Sequence, residues 1–101
     1  MIIYNVTVTV DESILSEWLI WMKEKHIPEV LNTGLFIKAQ LKKIISDKNN
    51  TFAVAYSCAS MQDLHQYQVN FASKIQQKHI KRFGDKAVAF RTILEILNNF
   101  N

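Results

Sequence analysis

One cysteine, one proline and two glycines stand among 101 residues, and each scarcity removes a class of explanation. Cys58 alone can form neither a disulfide framework nor a CxxC redox or zinc motif. Gly34 and Gly84 are too few and too far apart for a Walker loop or GxGxxG, which need clustered glycines to bring backbone up to phosphate. HExxH and GxSxG are missing as well. No apolar run approaches the roughly 20 residues of a membrane-spanning helix. The opening IIYNVTVTV alternates and lacks a charged n-region, so the sequence predicts no signal peptide and a reducing cytoplasmic location. The net charge is only +3, although six of the twelve basic residues lie between Lys74 and Arg91. Lys74, Lys78 and Lys81 share a helical face and read as a solvated face. TFAVAYSC lacks the exposed aromatics of an RNA-recognition strand, so nucleic acid is not an expected partner.

What is present reads as one globular domain over 1–101: apolar residues make up 49% and charged residues 21%, enough to fill a core without staples. Residues 2 to 10 alternate with period two, with Ile2, Tyr4, Val6, Val8 and Val10 on one face. Asp11 is an N-cap, and Leu15, Trp18, Leu19, Met22 and His26 then form one helical stripe. Pro28 predicts a kink or end near Ile27, and Gly34 a left-handed stop. Residues 35 to 46 read as a second strand and Thr51 to Cys58 as a third, paired as a hairpin across SDKNN. Ser60 and Asp63 have capping-box spacing and open a second helix that ends at Gly84. Its predicted inner face is Met61, Leu64, Phe71, Ala72 and Ile75, with Tyr67 and His79 on the flanks. Lys86 to Leu97 is the last strand.

The order βαββαβ, with right-handed crossovers, gives an α+β fold: a ferredoxin-like sandwich of a four-stranded antiparallel sheet with two helices on one face. By parity the open face carries Asn5, Thr7, Thr9, Lys38, Gln40 and Lys42, then Ala53, Ala55 and Ser57, and finally Ala89, Arg91 and Ile93. That face is either wet or covered by a partner sheet.

The segments EWLIWMKEKHIPEVLNTGLF, near residues 17 to 36, and RFGDKAVAFRTILEIL, residues 82 to 97, resemble a family of small bacterial proteins classed only as a domain of unknown function. The resemblance covers nearly the whole chain. It implies the dimeric α/β-barrel superfamily, in which two ferredoxin-like subunits pack sheet against sheet as a homodimer. The aromatic, His-x-Pro and Gly pattern is also similar to cofactor-free antibiotic-biosynthesis-type monooxygenases and muconolactone-isomerase-like proteins. The resemblance transfers no catalytic residue.

Two places suit a small organic ligand. His26 is the leading catalytic candidate, a general base in a pocket between helix and sheet with Trp18, Met22 and Tyr4 as walls. The structural alternative is an imidazole bonded to a carbonyl freed by the Pro28 break. On the open face, Asn5, Gln40 and Arg91 could orient a polar or anionic ligand; alternatively Arg91 reaches water or pairs with Glu95 of a second subunit. Topology also suggests that His26, Cys58 and His65 lie near one another, with Cys58 either a nucleophile or a small core residue. His79 is expected near the opposite end of the sandwich, which leaves no three-histidine metal site. No cofactor is expected. The readings that follow are a homodimeric small-molecule-binding barrel, with cofactor-independent monooxygenase or isomerase chemistry, or a non-catalytic assembly module that uses the open sheet face.

Overall fold

A computed structural model describes residues 1–101. Strand β1 (Ile2–Val10) leads through a 3-10 turn at Glu12–Ile14 into helix α1 (Leu15–Trp21) and, across a π-helical turn at Met22–His26, into α2 (Ile27–Leu31). The hairpin is β2 (Lys38–Lys43) and β3 (Thr51–Cys58). Helix α3 (Met61–Tyr67), a π-helical turn at Gln68–Ala72 and α4 (Ser73–Phe83) form the second helical segment, and β4 (Ala87–Glu95) closes the chain. The bounds of β1 and β3 are those the alternation predicts. Strand β2 is shorter than the apolar pattern suggested, because only Lys38–Lys43 keeps ladder pairing with β3.

The sheet is antiparallel in the order β2-β3-β1-β4, the ferredoxin-like arrangement. Asp11 accepts from Ser13 N–H at 2.9 Å, and the Ser60 hydroxyl accepts from Asp63 N–H at 3.2 Å, so both helical segments start on the expected caps. Gly34 and Gly84 take positive φ, +80° and +57°, where a β-carbon would strain the backbone. Tyr4, Val8, Val54 and Tyr56 on the sheet meet Trp18, Val30, Leu64 and Ile75 from the helices in one core.

Two expectations are corrected. The first concerns β4. Its register sets Ala87 opposite Val10, Ala89 opposite Val8, Arg91 opposite Val6 and Ile93 opposite Tyr4. Residues opposite one another share a face. Ala89, Arg91 and Ile93 therefore lie on the helix-covered side, and Val88, Phe90, Thr92 and Leu94 on the open side. A phase error of one residue reverses every side chain in a strand. The pattern misled because β4 is apolar on both sides, and the bulkier set is the outer one.

The second correction concerns the helices. Pro28 does not end the first segment; the irregularity expected near Ile27 is a π turn, in which the Ile27 N–H bonds to the Met22 carbonyl five residues back. The π turn thus absorbs the missing donor and the ring of Pro28. In the second segment the buried residues run Leu64, Tyr67, Ala72, Ile75, His79 and Phe83, with His79 half-buried. The five-residue step from Tyr67 to Ala72 is the π turn. It pushes Phe71 outward and brings Tyr67, predicted as a flank, fully inside; Met61 is also exposed.

Candidate functional site

A cavity lies between the sheet and the helical layer, walled by Tyr4 and Tyr56 from the strands, Met22 and His26 from the first helical segment, and Tyr67 and His79 from the second. Arg91 of β4 and Gln76 of α4 complete it at the sheet edge. The enclosed space is small, about 30 Å³, room for one or two water molecules. Beside it, between α4 and β4, an open cleft of about 360 Å³ shares Tyr4, Gln76 and Arg91 with the cavity.

The π turn carries His26 to this wall. Its ring stacks on Trp21 at 5.0 Å and lies 5.8 Å from the ring of His79. Its Nδ1 is buried and has no hydrogen-bond partner. The carbonyl expected from a Pro28 break does not reach it, because the widened helix leaves no such break. Burial first, and then the neighbouring His79, depress the pKa of His26 to about 4. Burial and Arg91 lower His79 as well. Both imidazoles are therefore neutral at pH 7.

His79 is held more firmly. The Trp18 indole N–H donates to its Nε2 at 3.0 Å. An indole nitrogen can only donate, so His79 Nε2 must accept and the neutral ring carries its proton on Nδ1. Trp18 thereby acts behind the cavity rather than on it: it is fully buried, packs on Phe52 at 5.1 Å and orients His79.

Three tyrosines also line the cavity. Tyr4 lies 5.9 Å from Tyr67 and 6.4 Å from Tyr56, ring centre to ring centre. Burial raises the pKa of all three, and the Arg91 guanidinium beside Tyr4 partly offsets it. The Gln76 amide donates to the Tyr4 hydroxyl at 3.5 Å. Arg91 is the sole charged side chain on the cavity wall, and no Asp or Glu reaches it.

The residues singled out in the sequence thus separate. Met22, His26 and Arg91 share the cavity, and Trp18 supports it. Asn5 and Gln40 lie on the other face of the sheet, where Asn5 donates to the Thr7 hydroxyl at 3.2 Å. His79, expected near the opposite end of the sandwich, is the neighbour of His26; the spacing Ile75, His79, Phe83 would have shown it on the inner stripe. Cys58 is fully buried, its Sγ 3.5 Å from the Ser60 carbonyl, and burial pushes its thiol pKa up, the opposite of an activated nucleophile. His65 is exposed on α3. No three His, Cys, Asp or Glu side chains cluster as a metal site would require.

The open face is of another kind. Val88, Phe90 and Leu94 stand in a row along β4, with Phe90 63% exposed. On the neighbouring strands the same face carries Asn5, Thr7, Gln40 and the lysines Lys38 and Lys42.

Among solved structures, the chain is similar to a candidate antibiotic biosynthesis monooxygenase from Deinococcus radiodurans, with a TM-score of 0.71 at 11% identity, covering 100% of this chain and 97% of that one. It is also similar to a dimeric ferredoxin-like protein from an uncultured marine organism, with a TM-score of 0.67 at 14% identity, covering 99% of this chain and 97% of that one. At such identities the likeness shows the fold alone. No curated protein matches the sequence. Residues 1–97 match the family described as a domain of unknown function, DUF4286, and the chain belongs to that family.

Proposed function

We propose that this chain is a cytoplasmic, homodimeric α/β-barrel protein that binds a small organic molecule in the cavity between helices and sheet. The observation that carries this reading is the meeting of His26, His79 and Arg91 around one largely apolar cavity. Buried polar groups that pair with nothing in the protein are expected where something else pairs with them. His26 is unpartnered at Nδ1 and neutral, so its ring is free to pair with a bound ligand; burial makes it a weak base, and proton transfer to it depends on Arg91 stabilising the conjugate anion of that ligand. Proton removal of this kind opens both isomerase and cofactor-independent monooxygenase chemistry, and it is consistent with the description of the Deinococcus structure. No cofactor or metal is invoked.

The dimer is supported by the apolar row on β4. Isolated exposed apolar residues are ordinary, but Val88, Phe90 and Leu94 share one face of one strand, interrupted only by Thr92, and such a grouping suits a contact surface. A second copy packed sheet to sheet would bury Phe90 and its neighbours, and the similar marine structure is described as dimeric. The same row favours a second reading, a non-catalytic assembly module, which needs the open face and not the cavity. A thermal-shift screen of aromatic and polyketide-like acids, repeated with His26→Ala and Arg91→Ala, separates the two. Ligand stabilisation in the wild type that either variant loses supports the binding protein. Silence across the panel with an intact dimer leaves the assembly module.

A further inference from the structure

We infer that the ligand is an organic monocarboxylate, and that its carboxylate sits at the threshold between cavity and cleft, on Arg91, Gln76 and Tyr4. This rests on the small-molecule reading above and names its chemical class. The threshold consists of the three residues that line both spaces. Each offers a hydrogen-bond donor there: a guanidinium, a primary amide and a phenol. A guanidinium fork matches the two oxygens of a carboxylate, and the charge makes those bonds shorter and stronger than neutral ones.

Charge decides against the other classes. Arg91 makes no ion pair, whereas Lys78 pairs with Glu29, and Arg82 pairs with Glu17 at 3.1 Å, on the outer surface of the helical layer. Arg91 is the one lysine or arginine on the cavity wall, and no acid answers it there. The walls around it hold neutral imidazoles, tyrosines and aliphatics, with no carboxylate to welcome a cationic ligand. A dianion would meet only one positive charge, so a monoanion fits best.

Size orders the rest of the molecule. The enclosed cavity of about 30 Å³ admits a group no larger than one or two water molecules, so the ligand body lies in the cleft of about 360 Å³ against Ala72 and Ile80. What enters the cavity is the small group adjoining the carboxylate, and His26 and His79 face it there.

The test uses benzoate and its neutral isostere benzamide, titrated into the full chain by calorimetry or by histidine-detected NMR. The proposal expects benzoate to bind at least about tenfold more tightly than benzamide and to shift the ring signals of His26 and His79. Arg91→Gln is expected to remove the preference, Arg91→Lys to keep part of it, and Lys78→Gln, on the outer surface, to leave it unchanged. Arg91 lies on an exposed edge strand, so its variants fold; an unchanged melting temperature without ligand checks this. Equal binding of benzamide, or benzoate binding that survives Arg91→Gln, overturns the proposal. A screen in which neutral compounds bind and carboxylates do not overturns the carboxylate class alone; silence of every compound overturns this inference together with the binding reading.

Discussion

The two faces of this sheet invert the usual sorting of residues in opposite senses. The helix-covered face, which ought to be wholly apolar, holds two histidines, an arginine's head group and three phenols around a cavity. The open face, which ought to be polar, sets out Val88, Phe90 and Leu94 along its edge strand. Buried polar groups and exposed apolar rows are the informative departures from hydrophobic sorting. The proposed function gives each face a different partner: a small molecule under the helices, and a second subunit on the open side.

The largest expected effect comes from the covered face. Trp18→Ala removes a fully buried indole and the donor that orients His79, and should cost about 3–5 kcal/mol in chemical denaturation. If Trp18→Ala costs under about 1 kcal/mol, the covered face is not packed as described.

Acid should act next, and on the same face. The pKa of His26 falls from 6.5 to about 4 on folding, so the unfolded chain takes up the proton first. Stability is then full above pH 6.5 and declines as the pH falls toward 4, by up to about 3 kcal/mol. His79 shifts in the same direction and adds to the loss. His26→Phe, which keeps the stacking on Trp21, should flatten this part of the pH profile in unfolding experiments and leave the chain as stable at pH 7 or more so, since it removes an unpaired buried nitrogen.

The open face should respond in association rather than in folding. Phe90→Asp is expected to weaken the dimer by about 2 kcal/mol or more in sedimentation or light scattering. Because Phe90 is exposed in the single chain, the substitution should leave monomer unfolding nearly unchanged. A wild type that is monomeric at tens of micromolar, a range in which an interface of that kind is occupied, removes the contrast between the faces.

The smallest effect belongs to neither face. Glu17→Gln and Glu29→Gln break the surface pairs with Arg82 and Lys78, and each should cost under about 1 kcal/mol, less at high salt.

Much of the architecture was legible because period and caps are local. Alternation gave β1 and β3 their bounds, Asp11 and Ser60 the helix starts, and the element order the ferredoxin-like topology. The site was less so, for two physical reasons. A strand apolar on both faces carries no phase of its own, and only pairing with β1 turns Arg91 toward His26. The π turns have no fixed signature in sequence, yet one accompanies Tyr67 turning inward and Phe71 outward, and the other carries the first helical segment past Pro28. His26 and Arg91 were each readable as candidates; that they share a wall with His79 is a fact of register and helical phase.

The account rests on His26 lying buried and neutral beside His79, in a cavity that Arg91 closes. Side-chain NMR titration of the histidines in the folded protein tests this most directly. The structure predicts a midpoint for His26 near 4, with His79 also below 6.5. A midpoint for His26 at 6.5 or above would place it in water or beside an acid, and would contradict the cavity described here.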